Sequence, residues 1–200
     1  LSGGITWSYQ ASTKILIFVN TSGTAVAIPD YNTTAERPWD YLASVVEQVL
    51  VLDGISAIGR QAFADMPRLG TLILNGSSLA IIGEAAFRND VSIKTVTLPK
   101  ETVLIYANAF SGCTGITAAS TPNTQAQMTI LSGNEPLTSK LTYAGGTTPT
   151  PGTTKSGTLA NGLYWSFDTA TGEMLIYGAG AMPSYNPLAL TDRPWHDFTK

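Results

Sequence analysis

A catalyst must bring nucleophiles, bases or metal ligands together, and this sequence offers few of them. It has one histidine, His196, and one cysteine, Cys113. Structural zinc sites take four Cys or His ligands, so zinc is not expected. His196 follows Arg193-Pro194-Trp195, and no Ser or Cys is spaced to complete a triad with it. Cys113 lies in a run of small residues without an adjacent Lys, Arg or His. It reads as a small buried hydrophobe rather than a thiolate nucleophile. Gly178-Ala179-Gly180-Ala181-Met182-Pro183 starts like a dinucleotide loop but has proline at the third glycine position. Gly152-Thr153-Thr154-Lys155-Ser156 lacks the glycine that a phosphate loop sets next to its lysine. Asp30, Asn32 and Thr34 begin like a calcium loop, yet Ala35 and Tyr41 replace its glycine and closing glutamate. Fourteen carboxylates are present, but no spacing selects an acid–base pair among them. The expectation is a chain with no catalytic residue, no cofactor and no metal.

The elements that would carry any site are short. Charged residues make up 12% of the chain, about half the usual share, which disfavours long helices with charged outer faces. Thr, Ser, Asn and Gly supply the polar surface instead and favour strands and turns. Net charge is −3 with a pI near 5.0. No basic stripe is visible along the sequence, so nucleic acid is not an expected partner. The longest apolar run, Ile15 to Val19, is strand-sized and far short of the ~18 residues of a membrane helix. The chain starts at Leu1 rather than Met, as a processed or excised product would.

Internal repetition organises the middle of the chain. Ala57-Ile58-Gly59-Arg60-Gln61-Ala62-Phe63 aligns with Ile81-Ile82-Gly83-Glu84-Ala85-Ala86-Phe87 and with Leu104-Ile105-Tyr106-Ala107-Asn108-Ala109-Phe110. The phenylalanines are 87 − 63 = 24 and 110 − 87 = 23 apart. Leu69, Ile93 and Ile116 each follow their Phe by six residues, and each opens a strand pattern such as Leu69, Leu72, Leu74. Val46, Val49 and Val51 open the series one period upstream, while the last copy decays after Ile116 into Ala119 and Thr121. One such turn of chain cannot bury its own apolar side, but stacked turns make a continuous core. Strand alternation turns Val49, Val51, Leu72, Leu74, Val96 and Leu98 inward. It leaves Gln48, Leu50, Thr71, Ile73, Thr95 and Thr97 on the outer face. The expected fold is mainly β, a solenoid with a parallel sheet of short strands and a short helical or 3-10 piece in each repeat.

A second, longer repeat brackets the first. Ile5-Thr6-Trp7-Ser8-Tyr9 matches Leu163-Tyr164-Trp165-Ser166-Phe167, and Leu16-Ile17 matches Leu175-Ile176. Arg37-Pro38-Trp39-Asp40 matches Arg193-Pro194-Trp195-His196. Each copy reads as a hairpin. The expected layout is a hairpin capping module at 1–42, the repeat array at 43–121 and a closing segment at 122–144. A Gly/Thr/Pro linker at 145–158 and a truncated second hairpin module at 159–200 follow.

The Ile-Gly-x-x-Ala-Phe unit, the Leu98-Pro99 turn and Ala109-Phe110-Ser111-Gly112-Cys113-Thr114 resemble the BspA-like leucine-rich-repeat family of bacterial cell-surface proteins. The Trp-Ser-Tyr hairpin leading to Arg-Pro-Trp resembles a module that often precedes such arrays. The resemblance implies a secreted or surface-anchored protein that adheres to host matrix or another surface protein. Trp7, Tyr9, Trp39, Trp165, Phe167 and Trp195 leave open a carbohydrate-binding role through stacked rings, although recurrence in both copies fits a hairpin core better. A fragment of a secreted hydrolase is a third reading. Leu50 and Ile73, two large aliphatic residues side by side on a solvent face, are the sharpest candidates for partner contact.

Overall fold

The computed structural model describes residues 2–144 and, beyond them, the strand backbones of 154–158, 163–168 and 174–178. In chain order the strands are β1 (Ile5–Gln10), β2 (Ile15–Asn20), β3 (Val26–Ile28), β4 (Gln48–Val51), β5 (Ile55–Ile58), β6 (Thr71–Leu74), β7 (Ile81–Ile82), β8 (Thr95–Thr97), β9 (Leu104–Ile105), β10 (Ala118–Ser120), β11 (Thr129–Ile130), β12 (Leu141–Thr142), β13 (Thr154–Thr158), β14 (Leu163–Asp168) and β15 (Met174–Gly178). One helical turn, α1 (Glu135–Thr138), precedes β12. The chain divides into two compact units, Leu1–Pro149 and Thr150–Lys200.

The first unit is built from two sheets. Strands β1-β2-β4-β6-β8-β10-β12 form a seven-stranded sheet, parallel except for the β1–β2 hairpin. Strands β3-β5-β7-β9-β11 form a second sheet, parallel throughout. Both feed one buried core, with Val49, Val51, Leu74 and Val96 from the first and Ile28, Ile58, Ile82 and Ile105 from the second, and Leu98 just past β8. The inward positions expected from alternation are therefore the buried ones.

The second sheet corrects one expectation. The piece of each repeat expected to be helical is a two- to four-residue strand followed by a turn. Among the described residues, 3-10 turns lie instead at Ser2–Gly4, Thr34–Glu36, Asp40–Leu42 and Gln125–Gln127. The turn itself explains this. Gln61, Ala85 and Asn108, at one position of successive repeats, have φ of 55°, 52° and 59°, a left-handed conformation that ends any helix. Their N–H groups donate onward to the Glu84, Ala107 and Ser132 carbonyls of the next rung. In a helix those N–H groups would be spent within the repeat. Tyr106 stands where Gly59 and Gly83 stand in earlier rungs, yet its N–H donates to Ile82 just as that of Gly83 donates to Ile58.

The rings stack in one column. Phe63, Phe87 and Phe110 are fully buried, with centroids 5.4 and 5.1 Å apart and planes within 21° of parallel. The column begins one rung earlier than the phenylalanine spacing shows. Trp39, at 63 − 39 = 24, is also fully buried and stacks on Phe63 at 5.9 Å. Its indole N–H donates to the Ala62 carbonyl, and Trp7, Phe18 and Tyr31 pack their edges around it. Buried Arg37 donates to the Ala62 and Ala64 carbonyls and pairs with Asp40. At the far end, Asn134 takes the ring position, 134 − 110 = 24. The Phe63 and Phe87 N–H groups donate to next-rung carbonyls, Ala86 and Ala109. That of Phe110 is met by the Asn134 side-chain oxygen, whose amide nitrogen donates to Tyr106 and Leu131 carbonyls.

The residues expected to cap and close the array share its sheets. β2 pairs with β4 in parallel, and 122–144 continues both sheets through β11 and β12. In the second unit, β13 pairs antiparallel with β14, and β14 with β15. Thr154–Thr158 is thus a strand, where the sequence suggested linker. Trp165 opposes Ile176 as Trp7 opposes Phe18, which matches Leu16 with Met174 rather than Leu175. The second Arg193-Pro194-Trp195-His196 lies outside the described residues.

Truncating the middle of a close-packed column leaves a cavity that its rigid neighbours cannot fill. Phe87→Ala is expected to cost roughly 3–5 kcal/mol, read as a lower denaturation midpoint with an unchanged m-value in urea.

Candidate binding face

The outer side of the seven-stranded sheet is the broad surface that the fold leaves uncovered within the first unit. The parallel register sets Gln48 beside Thr71 and Thr71 beside Thr95. Leu50 lies beside Ile73, and Thr97 is two residues along from Thr95 on the same face. Thr71, Thr95 and Thr97 are exposed; Gln48, Leu50 and Ile73 are half-buried. The six residues singled out from the sequence are thus neighbours on one face. Leu50 and Ile73 are less open than a solvent face suggests, because adjacent rungs shield them from the sides.

Three contributions to this face are not visible in the repeat period. Ile17 pairs with Leu50, so the aliphatic row is Ile17–Leu50–Ile73. Ile15, beside Gln48, widens it. Ser120 and Thr142 extend the hydroxyl-rich part through β10 and β12, with Ala118 beside Thr95. The closing segment therefore lengthens the sheet edge to edge and does not lie over Leu50 and Ile73. The signal for Ile15 and Ile17 is present in the sequence as alternation, since Leu16 and Phe18 are fully buried. But β2 precedes β4 by 33 residues (49 − 16), which breaks the 23–24 spacing.

The ring set reads as core. Trp39 has no exposed surface, and Trp7 and Tyr9 are half-buried against the core. The side chains of Trp165, Phe167 and Trp195 lie outside the described residues. Trp39 is unavailable for stacking on a sugar.

The buried polar groups are structural in setting. Met66, Asp90, Cys113 and Leu137 occupy one column at spacings of 24, 23 and 24, all fully buried. Asp90 accepts the Met66 N–H at 2.7 Å, while its other oxygen is buried without a partner. Burial pushes its carboxyl well above the usual carboxylate range, against smaller opposing effects of the Met66 N–H and Arg37. Cys113 donates to the Phe87 carbonyl at 2.9 Å. Burial, reinforced by Asp90, raises its thiol to about 12, the reverse of what a nucleophile needs. Half-buried Glu47 is held below its ordinary value by Lys14, bonded at 2.5 Å.

Residues 41–134 match the BspA type leucine rich repeat region in six copies. The match supports that family for the array and carries its repeats past Ile116 to Asn134. Three solved leucine-rich-repeat structures are similar to this chain. One, from T. pallidum, is 16% identical, with a TM-score of 0.38 over 70% of this chain and 80% of that one. Another, from Eubacterium ventriosum, is 17% identical, with a TM-score of 0.35 over 60% and 42%. A leucine rich cell surface protein of Faecalibacterium prausnitzii is 15% identical, with a TM-score of 0.34 over 87% and 59%. No curated protein matches the sequence. No helix among the described residues is long and apolar enough to cross a membrane.

Asp90 gives the repeat array a pH dependence. Its carboxyl holds a proton more tightly in the folded state, so its contribution to stability is full below the unfolded pKa of about 3.9. That contribution is lost as pH rises through the folded value. Asp90→Asn keeps the acceptor for Met66 and removes the ionisation. It is expected to stabilise the protein at pH 7 and to matter far less at pH 4. Thermal midpoints of both proteins across this range test the sign; a variant less stable than the parent at pH 7 would contradict it.

Proposed function

We propose that this chain is a protein-binding module of a secreted or surface-attached bacterial protein, used for adhesion and without catalysis. The observation that carries the reading is the Ile17–Leu50–Ile73 row on the outer face of the seven-stranded sheet, continued by Thr71, Thr95, Thr97 and Ser120. A stack of rungs repeats one surface over many strands and suits a large partner better than a small substrate. Aliphatic residues bordered on one side by hydroxyls combine apolar and polar surface as protein interfaces do. The cell-surface setting rests on the leucine-rich-repeat match. The absence of catalysis is favoured by the raised thiol of Cys113 and its burial.

The test is a screen of the 200-residue chain against host matrix proteins and glycans, followed by Leu50→Ser with Ile73→Ser. Both side chains point away from the core, so folding should persist. Loss of two aliphatic contacts near an interface centre should weaken the partner by roughly tenfold or more. A double variant that binds every partner found as tightly as the parent would show that this face is not the one used.

A further inference from the structure

The fold gathers cations that are scattered in the sequence. Lys14 immediately precedes β2, Lys94 precedes β8 and Lys140 precedes β12; Arg68 lies on the approach to β6. Backbone bonds place these approaches side by side. The Gln48 N–H donates to the Lys14 carbonyl, the Thr71 N–H to Glu47, the Ala118 N–H to Lys94 and the Ala119 N–H to Lys140. One rim of the seven-stranded sheet therefore carries four of the eight Lys and Arg residues in positions 1–149. It carries one of the ten carboxylates there, Glu47, which is shared by Lys14 and Arg68 at 2.5 and 3.2 Å. Lys94 and Lys140 are exposed and have no ion-pair partner among the described residues. From β2 to β12 the row spans roughly 24 Å, at about 4.8 Å per strand.

Two exposed valines stand on the same rim, Val45 on the approach to β4 and Val91 on that to β8, 38% and 45% accessible. An open depression of about 330 Å³, lined by Glu47, Gln48, Arg68, Gly70, Thr71 and Ser92, joins the rim to the outer face. We infer that this rim selects the partner of the outer face, and that the partner is an acidic protein surface whose carboxylates alternate with aliphatic side chains. Charge complementarity supplies the sign in a chain that is itself net negative. The valines favour a protein over a polyanionic glycan, which offers far less aliphatic surface for them to cover. Rim charges act chiefly on association rate and salt dependence. The inference rests on the proposed binding face and adds the partner's chemistry to it.

The probe is a fluorescein-labelled amphipathic peptide with Leu along one face and Glu along both flanks. A Lys-for-Glu version and a hyaluronate oligosaccharide serve as comparators, all against the 200-residue chain. Lys94→Glu should slow association of the Glu peptide about threefold, and Lys94→Glu with Lys140→Glu about tenfold, at low salt. Both effects should fade at high salt. Lys100→Glu makes the same charge change three residues beyond the other end of β8 and should leave the rate nearly unchanged. The Lys peptide should bind at least about tenfold more weakly. Parental rates in the Lys94/Lys140 variant, equal binding of the two peptides, or binding of hyaluronate alone would overturn the inference. If the Leu50/Ile73 variant weakens the Glu peptide while the lysine variant does not, the rim inference fails and the face survives. If neither has an effect, both fail.

Discussion

Everything in the first unit depends on each rung handing its hydrogen-bonding groups to the next. The strands do this in both sheets, but the turns do it too, through left-handed residues such as Gln61, Ala85 and Asn108. A left-handed non-glycine residue costs on the order of 1–2 kcal/mol. The gain is an N–H that bonds to the next rung instead of being left without a backbone partner. With strands and turns both bonded between rungs, equivalent side chains lie directly above one another. The stacked rings and the outer row of Ile17, Leu50 and Ile73 are two products of the same constraint. The basic rim is a third.

The same dependence sets the need for ends. A rung at the end of the stack has groups with no neighbour. At the start, Arg37 and the Trp39 indole meet the Ala62 and Ala64 carbonyls. At the finish, Asn134 supplies one oxygen in place of a whole rung's carbonyl. Arg37 and Asn134 meet several groups at once because a guanidinium and an amide each carry several donors or acceptors on one arm, and the Trp39 indole adds a single donor.

The core of the array was readable in the sequence because Phe63, Phe87 and Phe110, with their isoleucines, repeat chemical type and spacing together. Where type changed and spacing held, the reading stopped short. Trp39 and Asn134 sit at the right interval but are not phenylalanine, so spacing of type alone does not extend the ring column to them. Where spacing changed and type held, it also stopped short, as with the Ile15–Val19 alternation in β2. The second sheet was missed because Ile81-Ile82 and Leu104-Ile105 are too short to announce strands alone; their pairing is defined only by neighbouring rungs. Of the candidate face, Leu50 and Ile73 were legible from alternation. The rim was not, since Lys14, Lys94 and Lys140 are far apart in sequence and become a row only through the stack.

Asp90 has a further consequence for how such a chain finds its structure. A stack of near-identical rungs is degenerate: sliding one segment past another by a full repeat would still place apolar groups on apolar groups. Asp90 removes that freedom. In its own place the carboxyl meets the Met66 N–H; one rung out of step it would lie where the buried Met66 or Cys113 side chain belongs. In the neighbouring ring column, Trp39 stands where later rungs carry phenylalanine and sets the first position apart. The irregular residues of the two columns are address labels, each favouring one alignment among several that hydrophobicity alone would tolerate.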